Sequence, residues 1–189
     1  MHIAYTMSPG RGDTDLVLHS VANQLISLGY RPCGTVQINT ERPDAGPCDM
    51  DVKVLPDGPA IRISQSLGRA SRGCRLDPTS LEEAVGLVTD HFATGADCLI
   101  INKFGKHEAE GRGFRQIIAE AVMKKTPVLV GLNLLNAQAF MEFSEGLAEE
   151  LPPRVDSLCD WLEARMCSFP GDADRRYAQE YRGKDWYRR

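Results

Sequence analysis

Short apolar runs alternate along the chain with stretches in which apolar residues recur at helical spacing. The first run covers residues 2–7, a glycine-containing turn follows it, and apolar positions from 16 to 28 then recur every three or four residues. This pattern predicts a strand, a tight loop and a helix. A second strand is predicted over residues 34–38, so the chain begins with a βαβ unit.

The later pattern continues this alternation and adds a hairpin. Two alternating segments, 51–55 and 60–64, flank Pro56-Asp57-Gly58, which is typical of a β-hairpin. Helices are predicted over 78–93, 114–123, 136–149 and 154–167, and fully apolar strands over 98–101 and 127–130. Apolar strands between helices indicate a three-layer α/β fold with a mainly parallel sheet. We expect one domain over residues 1–167 and a C-terminal arm over 168–189.

Composition narrows the class of partner. The chain has 189 residues and a formal net charge of -4, which argues against a general nucleic-acid binder because counterion release needs a basic surface. Its six cysteines form no CxxC pair, a pattern that indicates free thiols in a reducing compartment. No window approaches the roughly 18 apolar residues of a membrane helix. We therefore expect a cytoplasmic protein with no membrane partner.

The loop after the first strand reads "PGRGDT" and differs from a phosphate-binding loop at its charged position. A P-loop has the pattern GxxxxGK[ST], in which the lysine neutralises phosphate oxygens and the hydroxyl binds magnesium. If Gly12 and Thr14 take the second glycine and the hydroxyl, Asp13 stands in place of the lysine. A carboxylate there repels a triphosphate by about a few kcal/mol. Binding of a magnesium nucleotide is therefore doubtful, and the cofactor is unknown.

A second substitution follows the strand at 98–101. A nucleoside triphosphatase needs a carboxylate after this strand to hold magnesium, but here Asn102 and Lys103 follow it. If this strand end faces the loop, Asp13 and Lys103 have exchanged sign and can pair with each other. The alternative is that Asp13 caps the following helix and Lys103 is solvated.

The order of the motifs resembles that of the thermophile-type nucleoside-triphosphatase family over residues 1–150. "PGRGDT" and "GTVQINTER" resemble its loop and second strand, and Gly105, Glu108, Phe114 and Arg115 match its next turn and helix. The resemblance implies a P-loop NTPase-like fold with an inserted β-hairpin. It also implies a role for Glu108, the one acid of that turn that is retained, as a candidate catalytic residue.

A second resemblance covers the whole chain. The segments "NTERP", "CDMD", "LPDG", "RGCRLD" and "NKFGKHEAEGRGFR" resemble those of a group of bacterial proteins without an assigned function. This resemblance implies a link to molybdate metabolism.

These observations predict a site for a small anion or a nucleotide. Backbone N–H groups of the loop, together with basic side chains, suit phosphate, sulfate or molybdate. The candidate ligand-binding residues are Gly10, Arg11, Gly12, Asp13, Thr14, Asn102, Lys103, Arg72 and Arg75. Cys48, Cys74 and His107 are a candidate metal site, although the two cysteines lack a standard zinc spacing and free thiols are the alternative.

Three functions remain open. The favoured one is a catalytically degenerate P-loop-like protein that binds a small oxyanion or a nucleotide phosphate and is not an enzyme. The second is an active nucleoside triphosphatase with relocated charges, in which Lys103 and Glu108 replace the missing groups. The third is a vestigial P-loop adaptor that binds a partner protein. The arm mixes basic residues with aromatic ones, and we expect it to dock on its own domain or to form a homo-oligomer; nucleic acid is not the expected partner.

Overall fold

The structure is a computed structural model that describes residues 2–10, 12–40, 48–65 and 75–166. Seven strands form one sheet. They are β1 (Ile3–Thr6), β2 (Pro32–Thr40), β3 (Asp49–Leu55), β4 (Ala60–Arg62), β5 (Cys98–Ile101), β6 (Val128–Gly131) and β7 (Glu149–Leu151), and their spatial order is β4-β3-β2-β5-β6-β1-β7.

The sheet is mainly parallel, as the apolar strands predict. Strands β2, β5, β6, β1 and β7 run in the same direction, and the β3–β4 hairpin extends the sheet in antiparallel fashion beyond β2. The parallel strands all end at one edge of the sheet, which we call the carboxyl edge. The strand β7 was not predicted, because it has three residues, two of which are exposed, and it forms only by pairing with β1.

Six helices cover the two faces of the sheet. They are α1 (Asp13–Ser27), α2 (Pro78–Ala93), α3 (Lys106–Ala109), α4 (Arg115–Met123), α5 (Ala137–Phe143) and α6 (Val155–Met166). One buried cluster joins α1 and α6 to the sheet, and the other joins α2, α4 and α5 to the opposite face. The three-layer α/β architecture predicted from the sequence is therefore confirmed.

One predicted helix is wrong in its length. The spacing predicts a single helix over 136–149, but the structure has a 3-10 turn at Leu134–Asn136 and then α5, which ends at Phe143. Glu145 and Gly146 adopt left-handed backbone conformations, with φ values of 53° and 71°. Two consecutive left-handed residues cannot continue a right-handed helix. The chain turns there and enters β7.

Burial explains the uninterrupted apolar pattern of the central strands. All four residues of β5 are buried, with Leu99 and Ile101 in one cluster and Cys98 and Ile100 in the other. A strand covered by helices on both faces needs apolar residues at every position. In the part of the chain that the structure describes, no helix is long and apolar enough to cross a membrane. The predicted arm, 168–189, lies outside the described residues.

Candidate functional site

The loop at residues 7–12 and the segment after β5 both lie at the carboxyl edge of the sheet. β6 separates β1 from β5 in the sheet, so these two segments are one strand apart. The Nδ2 atom of Asn102 nevertheless donates a hydrogen bond of 2.9 Å to the carboxylate of Asp15 in the first turn of α1. The structure therefore brings the end of β5 into contact with the helix that follows the loop. Ligands of open α/β sheets bind at this edge.

The loop has the backbone form of a helix N-terminal anion site. Gly12 begins α1 with a left-handed backbone, φ 86°, and as a glycine it supplies no side-chain cap. The N–H groups of the first turn therefore do not receive a cap from this residue, and such groups favour anions. The hydroxyl oxygen of Thr14 accepts a hydrogen bond of 2.9 Å from the N–H of Ser8, which closes the loop on itself.

The carboxylate of Asp13 folds back over the loop. A Cβ atom placed on Gly10 would lie 2.0 Å from Oδ2 of Asp13, so the absence of a side chain at Gly10 makes room for this carboxylate. Lys103 is exposed, and no ion pair between described residues joins it to Asp13. The predicted pairing of Asp13 with Lys103 is therefore wrong. Position 13 therefore carries a negative charge that no ion pair with Lys103 offsets.

Asp15 binds a set of amide side chains, of which only Asn102 was among the predicted site residues. Besides Asn102, its carboxylate accepts hydrogen bonds from Nδ2 of Asn39 at 3.0 Å and Nε2 of Gln37 at 3.3 Å. The Oδ1 atom of Asn102 accepts from the backbone N–H of Gln37 at 2.9 Å. Alternating amides at the end of an otherwise apolar strand were the available signal. We call these four residues the amide network.

Glu108 is buried inside the segment that follows Lys103. Its carboxylate is 3% exposed and accepts hydrogen bonds from the N–H groups of Gly105, at 2.8 Å, and Phe114, at 3.3 Å. A carboxylate at the start of a short helix stabilises that turn by accepting its free N–H groups. These contacts order the segment from 105 to 114. A catalytic role for Glu108 remains only a prediction.

Of the three candidate metal ligands, His107 has another partner in the structure. Nε2 of His107, which is buried, lies 2.8 Å from Oε1 of Glu82 on α2, and the same oxygen accepts from the N–H of Gly113 at 3.1 Å. Cys48 is exposed at the start of β3. Over the described ranges, no group of three histidine, cysteine or acidic side chains could hold a metal ion. Cys74 lies outside the described residues.

Of the predicted arginines, Arg75 contacts another segment of the chain. One guanidinium nitrogen of Arg75 donates to the backbone oxygen of Cys48 at 3.0 Å, and another lies 3.7 Å from the carboxylate of Asp49. Arg75 therefore ties its segment to the start of β3. Arg11 and Arg72 lie outside the described residues.

The first turn of α1 carries an unusual charge for a phosphate loop. Both acidic residues there, Asp13 and Asp15, lie where the helix dipole favours negative charge, so they weaken the positive potential that a bound anion would meet. Asn102 is buried at 4% exposure and is neutral, whereas Lys103 next to it is exposed and basic. Among the described residues, the site offers backbone N–H groups and the cation Lys103, together with the acids Asp13 and Asp15.

This architecture, with a glycine loop between the first strand and the first helix, is that of the P-loop nucleoside triphosphatases. The chain is similar to the solution structure of a human cancer-related nucleoside triphosphatase, with 21% identity and a TM-score of 0.60, over 89% of this chain and 98% of that one. It is also similar to THEP1 from the hyperthermophile Aquifex aeolicus, with 17% identity and a TM-score of 0.58, over 87% and 96% of the two chains. The predicted P-loop NTPase-like fold is confirmed.

The chain belongs to the family described as protein of unknown function DUF2478, whose family model matches residues 3–161. It is also 34% identical over 172 residues to the molybdenum import ATP-binding protein ModC 2 of Bradyrhizobium diazoefficiens. That match covers 88% of this chain and 19% of the relative, so the chain spans about a fifth of the length of that protein.

Proposed function

We propose that this chain binds a small oxyanion, or the phosphate group of a nucleotide, at the loop between β1 and α1, and that it does not hydrolyse the nucleotide. The observation that carries the proposal is the position of Asp13. It stands where a P-loop has its lysine, and its carboxylate lies against Gly10 within the loop. In this proposal the loop keeps an anion-binding backbone, and Asp13 replaces the lysine that would bind a triphosphate.

The binding half of the proposal rests on the backbone of the loop. The left-handed Gly12 turns the chain into α1 so that the first-turn N–H groups of the helix lie at the carboxyl edge. The hydroxyl group of Thr14 lies in the same turn, and no described residue accepts its hydrogen, which can therefore be donated to a ligand. Lys103, exposed beside Asn102, adds a positive charge at this edge.

The absence of hydrolysis rests on how the nearby acids are used. Magnesium-dependent phosphoryl transfer needs a carboxylate free to hold the ion, and Asn102 replaces the acid after β5. Asp15 lies beside Asn102, but three amide donors occupy its carboxylate, which offers about four acceptor positions. Glu108 accepts two backbone N–H groups of its own segment. These acids serve the structure.

We assign the site to molybdenum metabolism and place the protein in the cytoplasm. The support is the similarity to a protein named for molybdenum import, of which this chain corresponds to about a fifth. Molybdate is a tetrahedral dianion of the size that a helix N-terminal loop accepts. In this proposal the chain is a ligand-binding module that acts beside, or as part of, a molybdate transport protein.

Isothermal titration calorimetry with molybdate, sulfate, phosphate and ATP, followed by a phosphate-release assay with magnesium, tests the proposal. We expect saturable binding of at least one oxyanion and no release of phosphate. Two variants form a matched pair, because Gly12 and Gly111 have φ values of 86° and 88° and each has room for a methyl group. Gly12→Ala should weaken oxyanion binding at least tenfold, whereas Gly111→Ala should carry a similar backbone strain and keep the affinity.

Two results would contradict the proposal. Magnesium-dependent phosphate release that Glu108→Gln abolishes would favour an active nucleoside triphosphatase. Failure of all four compounds to bind would favour an adaptor that recognises a partner protein.

A further inference from the structure

The amide network lies beside the loop and is not explained by anion binding alone. β2 pairs with β5 only as far as Thr35, while its remaining residues continue past the end of β5 and pair with β3. Gln37 and Asn39 therefore project beyond β5, at the level of the start of α1. Nδ2 of Asn39 would lie 3.7 Å from a Cβ atom on Gly12, so this amide lies close to the last glycine of the loop.

The network holds the carboxylate of Asp15 in place without neutralising it. Its three side-chain donors, Gln37, Asn39 and Asn102, are neutral amides, so each fixes the position of the carboxylate and adds no positive charge. Asp15 is partly buried, and Asn102 is almost fully buried. Salt still screens a partly buried charge, although less than it screens a fully exposed one. The result is a fixed negative charge in the first turn of α1.

Resting on the proposed function, we propose that Asp15 is a specificity-determining residue. Its charge makes the loop selective for small dianions over nucleoside triphosphates. The repulsion between a fixed charge and a ligand grows in proportion to the charge of the ligand. A tetrahedral dianion such as molybdate carries half the charge of magnesium-free ATP. The same carboxylate therefore penalises ATP about twice as much, in free energy, as it penalises molybdate.

The proportionality gives a quantitative expectation for Asp15→Asn. If the variant raises the affinity for magnesium-free ATP about tenfold, it should raise the affinity for molybdate only about threefold, because half the free energy corresponds to the square root of the factor. AMP, a dianion like molybdate, should shift by about the same threefold, and ADP, a trianion, should fall between AMP and ATP. A side chain that served only to hold the fold together would change the four affinities by a common factor.

The test measures dissociation constants for molybdate, AMP, ADP and ATP in EDTA with the full chain, its Asp15→Asn variant and a control. Asp156→Asn is the control, because Asp156 lies in the first turn of α6, is exposed, and loses the same charge. We expect the graded shift in Asp15→Asn and no graded shift in Asp156→Asn. An equal shift for all four ligands in Asp15→Asn, or the same graded shift in both variants, would overturn the inference.

A measurement on the unsubstituted chain keeps the inference testable if Asp15→Asn does not fold. Screening weakens charge discrimination, so the preference for molybdate over ATP should shrink when the salt concentration rises from about 0.05 M to about 0.5 M. A preference that stays constant with salt would overturn the role of Asp15. Binding of none of these compounds would instead overturn the proposed function.

Discussion

Replacing Asp13 by lysine should convert the loop into a stronger anion site. The carboxylate of Asp13 lies against Gly10, so the new ammonium group begins from the same turn of the chain. Two unit charges about 5 Å apart interact by about 3 kcal/mol at an effective dielectric constant of about 20. Replacing a charge of -1 by one of +1 changes this interaction twice, and because Asp13 is exposed, screening by solvent reduces the sum severalfold. We expect a net gain of about 1–2 kcal/mol, which is about a 5- to 30-fold increase in affinity.

The assay is calorimetric titration of Asp13→Lys and the unsubstituted chain with phosphate, molybdate and ATP. Asp57→Lys is the control, because Asp57 is an exposed acid in the turn after β3, and β3 ends opposite the start of β2, away from the carboxyl edge. Asp13→Lys should bind all three ligands more tightly and still release no phosphate, since Asn102 remains at the end of β5. Equal affinities in Asp13→Lys, Asp57→Lys and the unsubstituted chain would show that the loop is not the ligand site.

Three further predictions concern stability and reactivity. Glu108→Gln should lower the free energy of unfolding by about 1–3 kcal/mol, because an amide leaves one buried N–H group without an acceptor. The variant should keep its affinity for molybdate. Urea denaturation and calorimetry check this, and lost affinity at unchanged stability would contradict it. Burial raises the pKa of Cys33 to about 11, so its thiol stays protonated at pH 8. Iodoacetamide should therefore label the exposed Cys48 before Cys33. Equal labelling rates of the two cysteines in peptide mapping would refute the burial argument. Phe140 is fully buried and in edge-to-face contact with two aromatic rings. Phe140→Ala should therefore lower the free energy of unfolding by about 3–5 kcal/mol. A decrease of less than about 1 kcal/mol in urea denaturation would contradict the place of Phe140 in the core.

The solved structures and the molybdenum-import relative resemble this chain in different ways. The solved structures are similar in fold over most of the chain, but their low sequence identity carries no information about the chemistry of the loop. The protein named for molybdenum import is similar in sequence, but only over a fifth of its own length. In the proposed function, Asp13, Asp15 and Asn102 are the residues that favour binding over hydrolysis.

Local pattern was sufficient where an element forms from its own residues. The apolar run at β5 predicted a strand buried on both faces, and Asp77 before Pro78 predicted the start of α2, where the carboxylate of Asp77 accepts from the N–H of Thr79 at 2.9 Å. Local pattern failed at β7, where Glu149 and Glu150 have no apolar signal and the strand depends on β1. It also failed at the end of α5, where Glu145 takes an uncommon backbone conformation.

The sequence by itself determined the architecture, the position of the loop, and the presence of Asp13 in the loop and of Asn102 after β5, because these depend on residue identity and on periodicity along a short stretch of chain. Only the tertiary structure decided which side chains meet. The sequence suggests a contact between Asp13 and Lys103, whereas the folded chain turns Asp13 onto Gly10 and joins Asp15 to Asn102. Such contacts depend on how far each strand extends past its neighbour and on the direction of each side chain, and both are set by packing between segments distant in the sequence.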